Sequence, residues 1–217
     1  MKQVQVKICG VTNVRDARAC AELGADMIGL NFYRGSPRYI EPEVAREIVA
    51  SLPRRVCPVG VFVEPAVEEV RKIAQTVSFT AVQLHGEVSP GTCGQLARAF
   101  RVIRALSTDG EFRPHDAVQF RDCDVLLDTA HPQFHGGTGT TCDWAAARAT
   151  LPFTRFLILS GGLNAQNVGA AIAAVQPRAV DVCSGVEVAP GVKNHSAVEQ
   201  FIAAVRATEV AALTPPA

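Results

Sequence analysis

The stretch CDVLLDTAHPQFHGGTGTTCDW, residues 123 to 144, combines an apolar run, an acid, a glycine-rich loop and the start of a helix. The apolar run is typical of a buried strand, and its final carboxylate, Asp128, must be paired or face a cleft because burial alone is costly. In the following loop, missing side chains let backbone N–H groups approach an anion, and the next helix adds a partial positive charge. The stretch predicts an acid beside a phosphate site or, alternatively, a plain turn whose glycines only make the bend.

Outward from this stretch, the same order of strand, loop and helix repeats along the chain. We predict strands at about residues 4–9, 26–32, 57–63, 80–85, 101–106, 123–128, 155–160 and 179–184. We predict helices at about residues 14–23, 42–51, 66–76, 90–99, 115–121, 143–150, 165–175 and 195–210. Eight units of about 25 residues imply right-handed parallel crossovers that close into a barrel. The predicted fold class is α/β, a single (β/α)8 TIM barrel over residues 1–217 whose tail frays at about 210–217.

Length and composition exclude several classes of protein. The 217 residues are 48% hydrophobic and 19% charged, which suits one globular domain. The formal net charge is +0, so the overall field favours neither nucleic acid nor a membrane surface as a partner. No window approaches the roughly 18 apolar residues of a membrane helix, and we expect a cytoplasmic protein. The seven Cys lack metal-site spacing, so we expect reduced thiols and no bound metal.

The predicted barrel brings distant residues together, because active groups lie at the carboxyl ends of its strands. The strand-ending residues that would share this rim are Cys9, Asn31, Phe32, His85, Asp128, Ser160 and Ser184. Glycine breaks follow the last three strands: GGTG at 136–139, SGGL at 160–163 and SGVE at 184–187. Barrel enzymes often bind a phosphate with the loops after strands seven and eight, so we expect a phosphate site there.

Several single residues at this rim can have either a catalytic or binding role or only a structural one. Cys9 can act as a base or nucleophile if its pKa is lowered, although an isolated strand cysteine more often only packs. Arg34 and Arg38 can clamp a carboxylate, or they can be solvated loop arginines. His85 is interpreted as a rim residue rather than a metal ligand, since no second ligand follows at suitable spacing.

Lys7 lies two residues before Cys9 on the first strand and therefore points to the same inward face. An unpaired ammonium inside the barrel is costly, so a carboxylate must neutralise it. We predict Asp181 as this partner, because strand eight neighbours strand one when the barrel closes. The pairing can be structural only, or the charge can also lower the pKa of Cys9.

Taken together, the motifs resemble those of the phosphoribosylanthranilate isomerase family. The resemblance runs through KICGVT (7–12), GLNFYRGSPRYI (29–40), PVGVFV (58–63), VQLHGE (82–87), LLDT (126–129), GGTG with DW (136–144), LSGGLNAQNV (159–168) and VDVCSGVEVAPGVK (180–193). It implies the (β/α)8 fold, Cys9 as general base, Asp128 as general acid and Arg38 as the clamp on a carboxylate. It also implies further substrate contacts: phosphate loops at Gly137, Thr138, Gly139, Gly161, Gly162, Ser184 and Gly185, with Asp181 near the sugar hydroxyls. We also expect His85 at the rim to contact the substrate. Two positions depart from the family pattern, Cys142 before DW and Asn194 after GVK.

The implied reaction is an Amadori rearrangement in tryptophan biosynthesis. It converts N-(5-phosphoribosyl)anthranilate into 1-(2-carboxyphenylamino)-1-deoxyribulose 5-phosphate without a cofactor. The implied partner is this small phosphosugar, bound by a monomer or a homodimer. Two alternatives remain: a noncatalytic phosphosugar-binding barrel, and a related histidine-pathway isomerase, which is expected to use two carboxylates instead of Cys9.

Overall fold

The computed structural model describes residues 3–108, 112–128 and 143–213. Eight parallel strands form a closed barrel in which each strand pairs with its neighbours in the sequence and β1 pairs with β8. The strands are β1 (Gln5–Ile8), β2 (Met27–Asn31), β3 (Cys57–Val63), β4 (Ala81–His85), β5 (Arg101–Ser107), β6 (Asp124–Asp128), β7 (Leu157–Leu159) and β8 (Ala179–Val182). The predicted (β/α)8 barrel is confirmed.

Helices cover the outside of the barrel. They are α1 (Val14–Leu23), α2 (Pro42–Ser51), α3 (Val67–Thr76), α4 (Pro90–Ala97), α5 (Trp144–Thr150), α6 (Val168–Val175) and α7 (His195–Leu213). The ends of the first helix are set by specific residues. Asn13 Oδ1 accepts from the Asp16 N–H at 2.8 Å at the beginning, and Gly24 ends the helix with a φ of 108°. No described helix has both the length and the apolar character to cross a membrane.

Some predicted elements were wrong in type or length. The predicted helix at 115–121 is a 3-10 helix at Pro114–Phe120, because its backbone hydrogen bonds span three residues: the Asp116 N–H donates to the Arg113 carbonyl at 2.8 Å and the Arg121 N–H to the Val118 carbonyl at 3.2 Å. The predicted strand at 155–160 is only Leu157–Leu159, since Gly161 and Gly162 leave the β region with φ values of 85° and 62°. The last helix reaches Leu213 instead of ending at about 210.

The loop after β8 also differs from its prediction. Strand β8 ends at Val182, and Ser184 opens a 3-10 helix, Ser184–Val186, instead of ending the strand. A short antiparallel hairpin follows, formed by β9 (Glu187–Ala189) and β10 (Val192–Lys193). Gly191 has a φ of 81° and lies between its strands, which is a backbone conformation that favours glycine.

Apolar side chains form two clusters, one on each side of the barrel wall. The larger one fills the layer between strands and helices, and the smaller one fills the inside of the barrel. The inner cluster contains Met27, Val59, Ala81, Ile103, Ala105, Leu126, Ile158 and Ala179. Because successive side chains alternate between the two sides of a strand, the residues two positions further along several of these strands point into the mouth of the barrel.

Candidate active site

Strands β1 and β8 bring an inward-facing group of polar side chains together. The strands pair in parallel with Lys7 opposite Asp181, and the Cys9 N–H donates to the Val182 carbonyl at 2.9 Å. Continuing this register sets Cys9 beside Cys183 where the strands end. The side chains of both cysteines are on the same side as Lys7 and Asp181, since they lie two residues further on.

Lys7 and Asp181 form a buried ion pair. Lys7 Nζ lies 2.8 Å from Asp181 Oδ1, and Ser160 Oγ donates to Asp181 Oδ2 at 3.2 Å. Burial works to lower the pKa of Lys7, but the attraction of Asp181 and of Cys9 outweighs it and raises that pKa. The predicted pairing of Lys7 with Asp181 is confirmed, and the ammonium stays charged inside the barrel.

Cys9 lies in a space that Gly29 leaves open on β2. A Cβ at Gly29 would lie 2.7 Å from Cys9 Sγ and 3.1 Å from Lys7 Nζ. A hydrogen bond from Cys183 is the largest cause that lowers the pKa of Cys9; burial opposes it, and Lys7 lowers it further, to about 6. The same hydrogen bond raises the pKa of Cys183. Cys9 is therefore suited to carry a thiolate at neutral pH while Cys183 keeps its proton.

Asp128 lies at another part of the barrel mouth, with β7 and β8 between it and Cys9. It ends β6 and is 8% exposed. Leu126, two residues earlier, belongs to the apolar cluster inside the barrel, so the side chain of Asp128 points inward as well. The N–H and Oγ1 of Thr108 donate to the Asp128 carbonyl at 3.0 and 3.1 Å, which fixes the backbone there.

The two candidate arginines of the loop after β2 have different environments. Arg38 contacts the Glu187 carboxylate through Nε and Nη2, the shortest distance being 2.7 Å from Nη2 to Oε2. Its side chain is 13% exposed. Arg34 is 78% exposed and lies 3.6 Å from Glu41, so it is a surface arginine. Of these two cations, Arg38 is the one held beside the site.

Other predicted residues lie around the same mouth. His85 ends β4, and its Nε2 is 2.6 Å from Nε2 of Gln83. A Cβ on Gly185 would collide with the Leu163 carbonyl, so the loop after β8 packs directly on the loop after β7 that holds Gly161 and Gly162. Gly137, Thr138 and Gly139, together with Cys142, lie outside the described residues.

The other position that departs from the family pattern, Asn194, has a local role. Asn194 Oδ1 accepts from the Ala197 N–H at 3.2 Å in the first turn of α7. Asn194 therefore supplies an acceptor at the beginning of the last helix. In the described part of the chain, no three His, Cys, Asp or Glu side chains are grouped so that they could hold a metal ion.

Comparison with known proteins identifies the family. The family model of N-(5'-phosphoribosyl)anthranilate isomerases matches residues 6 to 204. The chain belongs to this family. It is 46% identical over 199 residues to the N-(5'-phosphoribosyl)anthranilate isomerase of Thermotoga maritima, which covers 92% of this chain and 97% of that protein.

Solved structures of the phosphoribosylanthranilate isomerase family have the same fold. The crystal structure of the Thermotoga maritima enzyme matches with a TM-score of 0.89 at 43% identity, covering 94% of this chain and 100% of that one. A phosphoribosylanthranilate isomerase in complex with reduced 1-(o-carboxyphenylamino)-1-deoxyribulose 5-phosphate matches with a TM-score of 0.83 at 42% identity, with the same coverage. The fold of this chain therefore agrees with that of solved members of its family.

Three residues of the site were not predicted from the sequence. Cys183, Glu187 and Lys193 all lie in the motif VDVCSGVEVAPGVK (180–193), but the sequence alone assigned no role to any of them. Lys193 Nζ is fully buried and lies 2.7 Å from Glu187 Oε1 and 2.6 Å from the Cys9 carbonyl. The sequence feature that could have indicated Glu187 and Lys193 is their position soon after the last barrel strand, because active groups of such barrels lie at the carboxyl ends of the strands.

Proposed function

We propose that this chain isomerises N-(5-phosphoribosyl)anthranilate to 1-(2-carboxyphenylamino)-1-deoxyribulose 5-phosphate in the biosynthesis of tryptophan. Membership of the phosphoribosylanthranilate isomerase family supports the reaction class. The residues that we assign as its acid, its base and the carboxylate-binding cation, Asp128, Cys9 and Arg38, lie at the carboxyl ends of the barrel strands or in the loops that follow them.

Asp128 is the general acid of the proposed mechanism. In its protonated form it gives a proton to the ring oxygen of the ribose, and the bond between this oxygen and C1′ breaks. The product of this step is an open-chain Schiff base between C1′ and the anthranilate nitrogen. The inward direction of Asp128 and its place at the carboxyl end of β6 support the role, because the active groups of such barrels lie at that end of the strands.

Cys9 is the general base of the following step. Its thiolate takes the proton from C2′, and the electrons of that bond form the double bond between C1′ and C2′ of an enolamine. The enolamine becomes the ketone when C1′ gains a proton from the Cys9 thiol and the C2′ hydroxyl loses its proton, which restores the Asp128 carboxyl. Both groups then return to their starting state.

Anchors at the two ends of the substrate hold C2′ near the sulfur. Arg38 binds the anthranilate carboxylate by charge-assisted hydrogen bonds. The loops with Gly161, Gly162, Ser184 and Gly185 bind the phosphate, together with Gly137, Thr138 and Gly139, while His85 contacts the substrate at the rim and Asp181 lies near the sugar hydroxyls. Such positioning can contribute roughly 7 to 11 kcal/mol to lowering the barrier in well-oriented systems.

The observation that carries the proposal is the environment of Cys9, where the Cys183 thiol and the Lys7 ammonium stabilise a thiolate at an inward position. A binding protein without chemistry has no use for such a thiolate. The test is the loss of phosphoribosylanthranilate fluorescence on addition of purified protein. Turnover well above the buffer rate is expected, and a rate equal to the buffer rate would contradict the proposal.

A further inference from the structure

Glu187 is a buried carboxylate at the site for which the proposed mechanism has no task. Its side chain is 4% exposed at the start of β9. Glu187 Oε1 accepts from Arg38 Nε at 3.0 Å and from Lys193 Nζ at 2.7 Å, and Oε2 accepts from Arg38 Nη2 at 2.7 Å. Burial works to raise the pKa of Glu187, but the hydrogen bonds from Arg38 and the charge of Lys193 lower it, so the carboxylate is ionised.

The contacts to Glu187 occupy only one edge of the Arg38 guanidinium. A guanidinium has five N–H donors in a rigid plane: one on Nε and two on each terminal nitrogen. The Nε hydrogen and one Nη2 hydrogen point to Glu187, so the edge formed by Nη1 and the second Nη2 hydrogen faces away from it. That remaining edge has the geometry that binds another carboxylate with two parallel hydrogen bonds.

Lys193 connects Glu187 to the backbone that carries Cys9. Its Nζ donates to the Cys9 carbonyl at 2.6 Å as well as to Glu187, and its N–H donates to Asp16 Oδ2 at 2.9 Å. The lysine is thus fixed at both ends of its side chain.

The stem of Arg38 is fixed by the residue that follows Cys9. Gly10 has a φ of 69°, and a Cβ there would lie 2.5 Å from Arg38 Cδ. The arginine therefore packs directly over the backbone beside the proposed base. Its stem and one edge of its head are both held in place, and the remaining edge has little freedom to turn.

We propose that Glu187 is a positioning residue that holds Arg38 so that the guanidinium edge facing away from Glu187 is presented to the carboxylate of the substrate. Lys193, which donates to both Glu187 and the Cys9 carbonyl, fixes the position of Glu187 relative to the backbone of Cys9. This inference rests on the proposed function, in which Arg38 binds that carboxylate. The plainer alternative is that Glu187 only neutralises two buried cations and has no effect on how the carboxylate is recognised.

The two accounts differ in how Glu187→Gln changes discrimination between ligands. The probes are the reduced product analogue and the same compound without its carboxyl group, with Kd measured by calorimetry for each. Wild type should bind the carboxylated ligand about tenfold or more tightly, as expected for a charge-assisted pair. The ratio of the two Kd values does not depend on the fraction of protein that is folded, so a loss of stability in the variant does not confuse the result.

We expect Glu187→Gln to lower this ratio several-fold and Glu187→Asp to lower it less. In an Arg38→Met background, Glu187→Gln should change it by less than about twofold, because the effect passes through the arginine. Glu41→Gln is the matched control, since Glu41 pairs with the exposed Arg34, and its ratio should equal that of wild type.

A lowered ratio in Arg38→Met with a wild-type ratio in Glu187→Gln overturns this inference and leaves the proposed clamp intact. An equal effect of Glu187→Gln with and without Arg38 also overturns it. A wild-type ratio in Arg38→Met removes the clamp from the proposed function and overturns the inference with it.

Discussion

Lys7 and Asp181 lie opposite each other on β1 and β8 inside the barrel, with Lys7 Nζ 2.8 Å from Asp181 Oδ1. Both side chains are almost completely shielded from water. The pair connects the first and the last strand of the barrel, and Lys7 lies two residues before Cys9 in the sequence. The Lys7 ammonium also acts on the Cys9 sulfur, since attraction between the two groups lowers the pKa of Cys9 and raises that of Lys7.

Lys7→Met should therefore move the acidic limb of kcat/KM to higher pH. The ammonium favours the thiolate form of Cys9, so its removal raises the pKa of Cys9, by about one unit if the charge effect is typical of a close pair. Alkylation of Cys9 by iodoacetamide, followed on its own peptide by mass spectrometry, should slow at neutral pH. The loss of the buried pair should also cost about 3 to 5 kcal/mol of stability.

Lys7→Arg is the matched control, because it keeps the positive charge. It should retain the pH profile of wild type more closely than Lys7→Met does. If the folded Lys7→Met variant has the same acidic limb and the same alkylation rate as wild type, Lys7 is structural only.

Cys183→Ala should raise the pKa of Cys9 from about 6, since the Cys183 thiol is the largest cause of its lowering. A donor that hydrogen-bonds the charged form of an acid stabilises that form, so the thiolate fraction at a given pH falls when the donor is lost. The pH at which kcat/KM is half-maximal on the acidic side should rise. Cys183→Ser keeps a donor and should give an intermediate profile; equal profiles for all three proteins would exclude the thiol as a cause.

Gly29→Ala should reduce kcat by about 100-fold, because small displacements of a reacting group can have effects of this size. The new Cβ would lie 2.7 Å from Cys9 Sγ, so the sulfur must move. Gly94→Ala on α4 is the control, since a Cβ there meets nothing within 4 Å. It should leave kcat unchanged and stabilise the helix by roughly 0.5 to 1 kcal/mol. A wild-type kcat in Gly29→Ala would mean that the sulfur position matters little.

Arg38→Met should raise KM by about tenfold or more, through loss of a charge-assisted bond to the anthranilate carboxylate. Within the described part of the chain, the substitution also leaves Lys193 as the cation that pairs with the buried carboxylate of Glu187. Arg34→Met is the control, because Arg34 is an exposed residue of the same loop, and its KM should not change. An unaltered KM in Arg38→Met would remove Arg38 from the binding site.

The fold and one contact of the site could be predicted from the sequence because local rules determine them. Short apolar runs bounded by glycine and proline located the strands, and the spacing of the units indicated a closed parallel barrel. Closure makes β1 and β8 neighbours, and side-chain alternation then pairs Lys7 with Asp181. No knowledge of side-chain geometry was needed for that step.

The contacts of Arg38 could not be predicted in the same way. Arg38 and Glu187 are 149 residues apart in sequence, and they meet only because the chain after β8 turns into a hairpin. That hairpin depends on Gly191, a single residue with a positive φ, and its strands are too short to show alternation. The close approach of Cys183 to Cys9 depends likewise on where β8 ends, which sequence patterns place only to within a few residues.

The central claim, that Cys9 and Asp128 are the base and the acid, is tested most directly by kcat in Cys9→Ala and Asp128→Asn. Binding of the reduced product analogue should persist in both, because the proposed anchors lie elsewhere. Cys57→Ala is a control for the loss of a thiol, since Cys57 lies at the start of β3, away from the carboxyl ends of the strands. We expect loss of detectable isomerisation in both site variants and wild-type kcat in the control; near wild-type kcat in Cys9→Ala or Asp128→Asn would contradict the account.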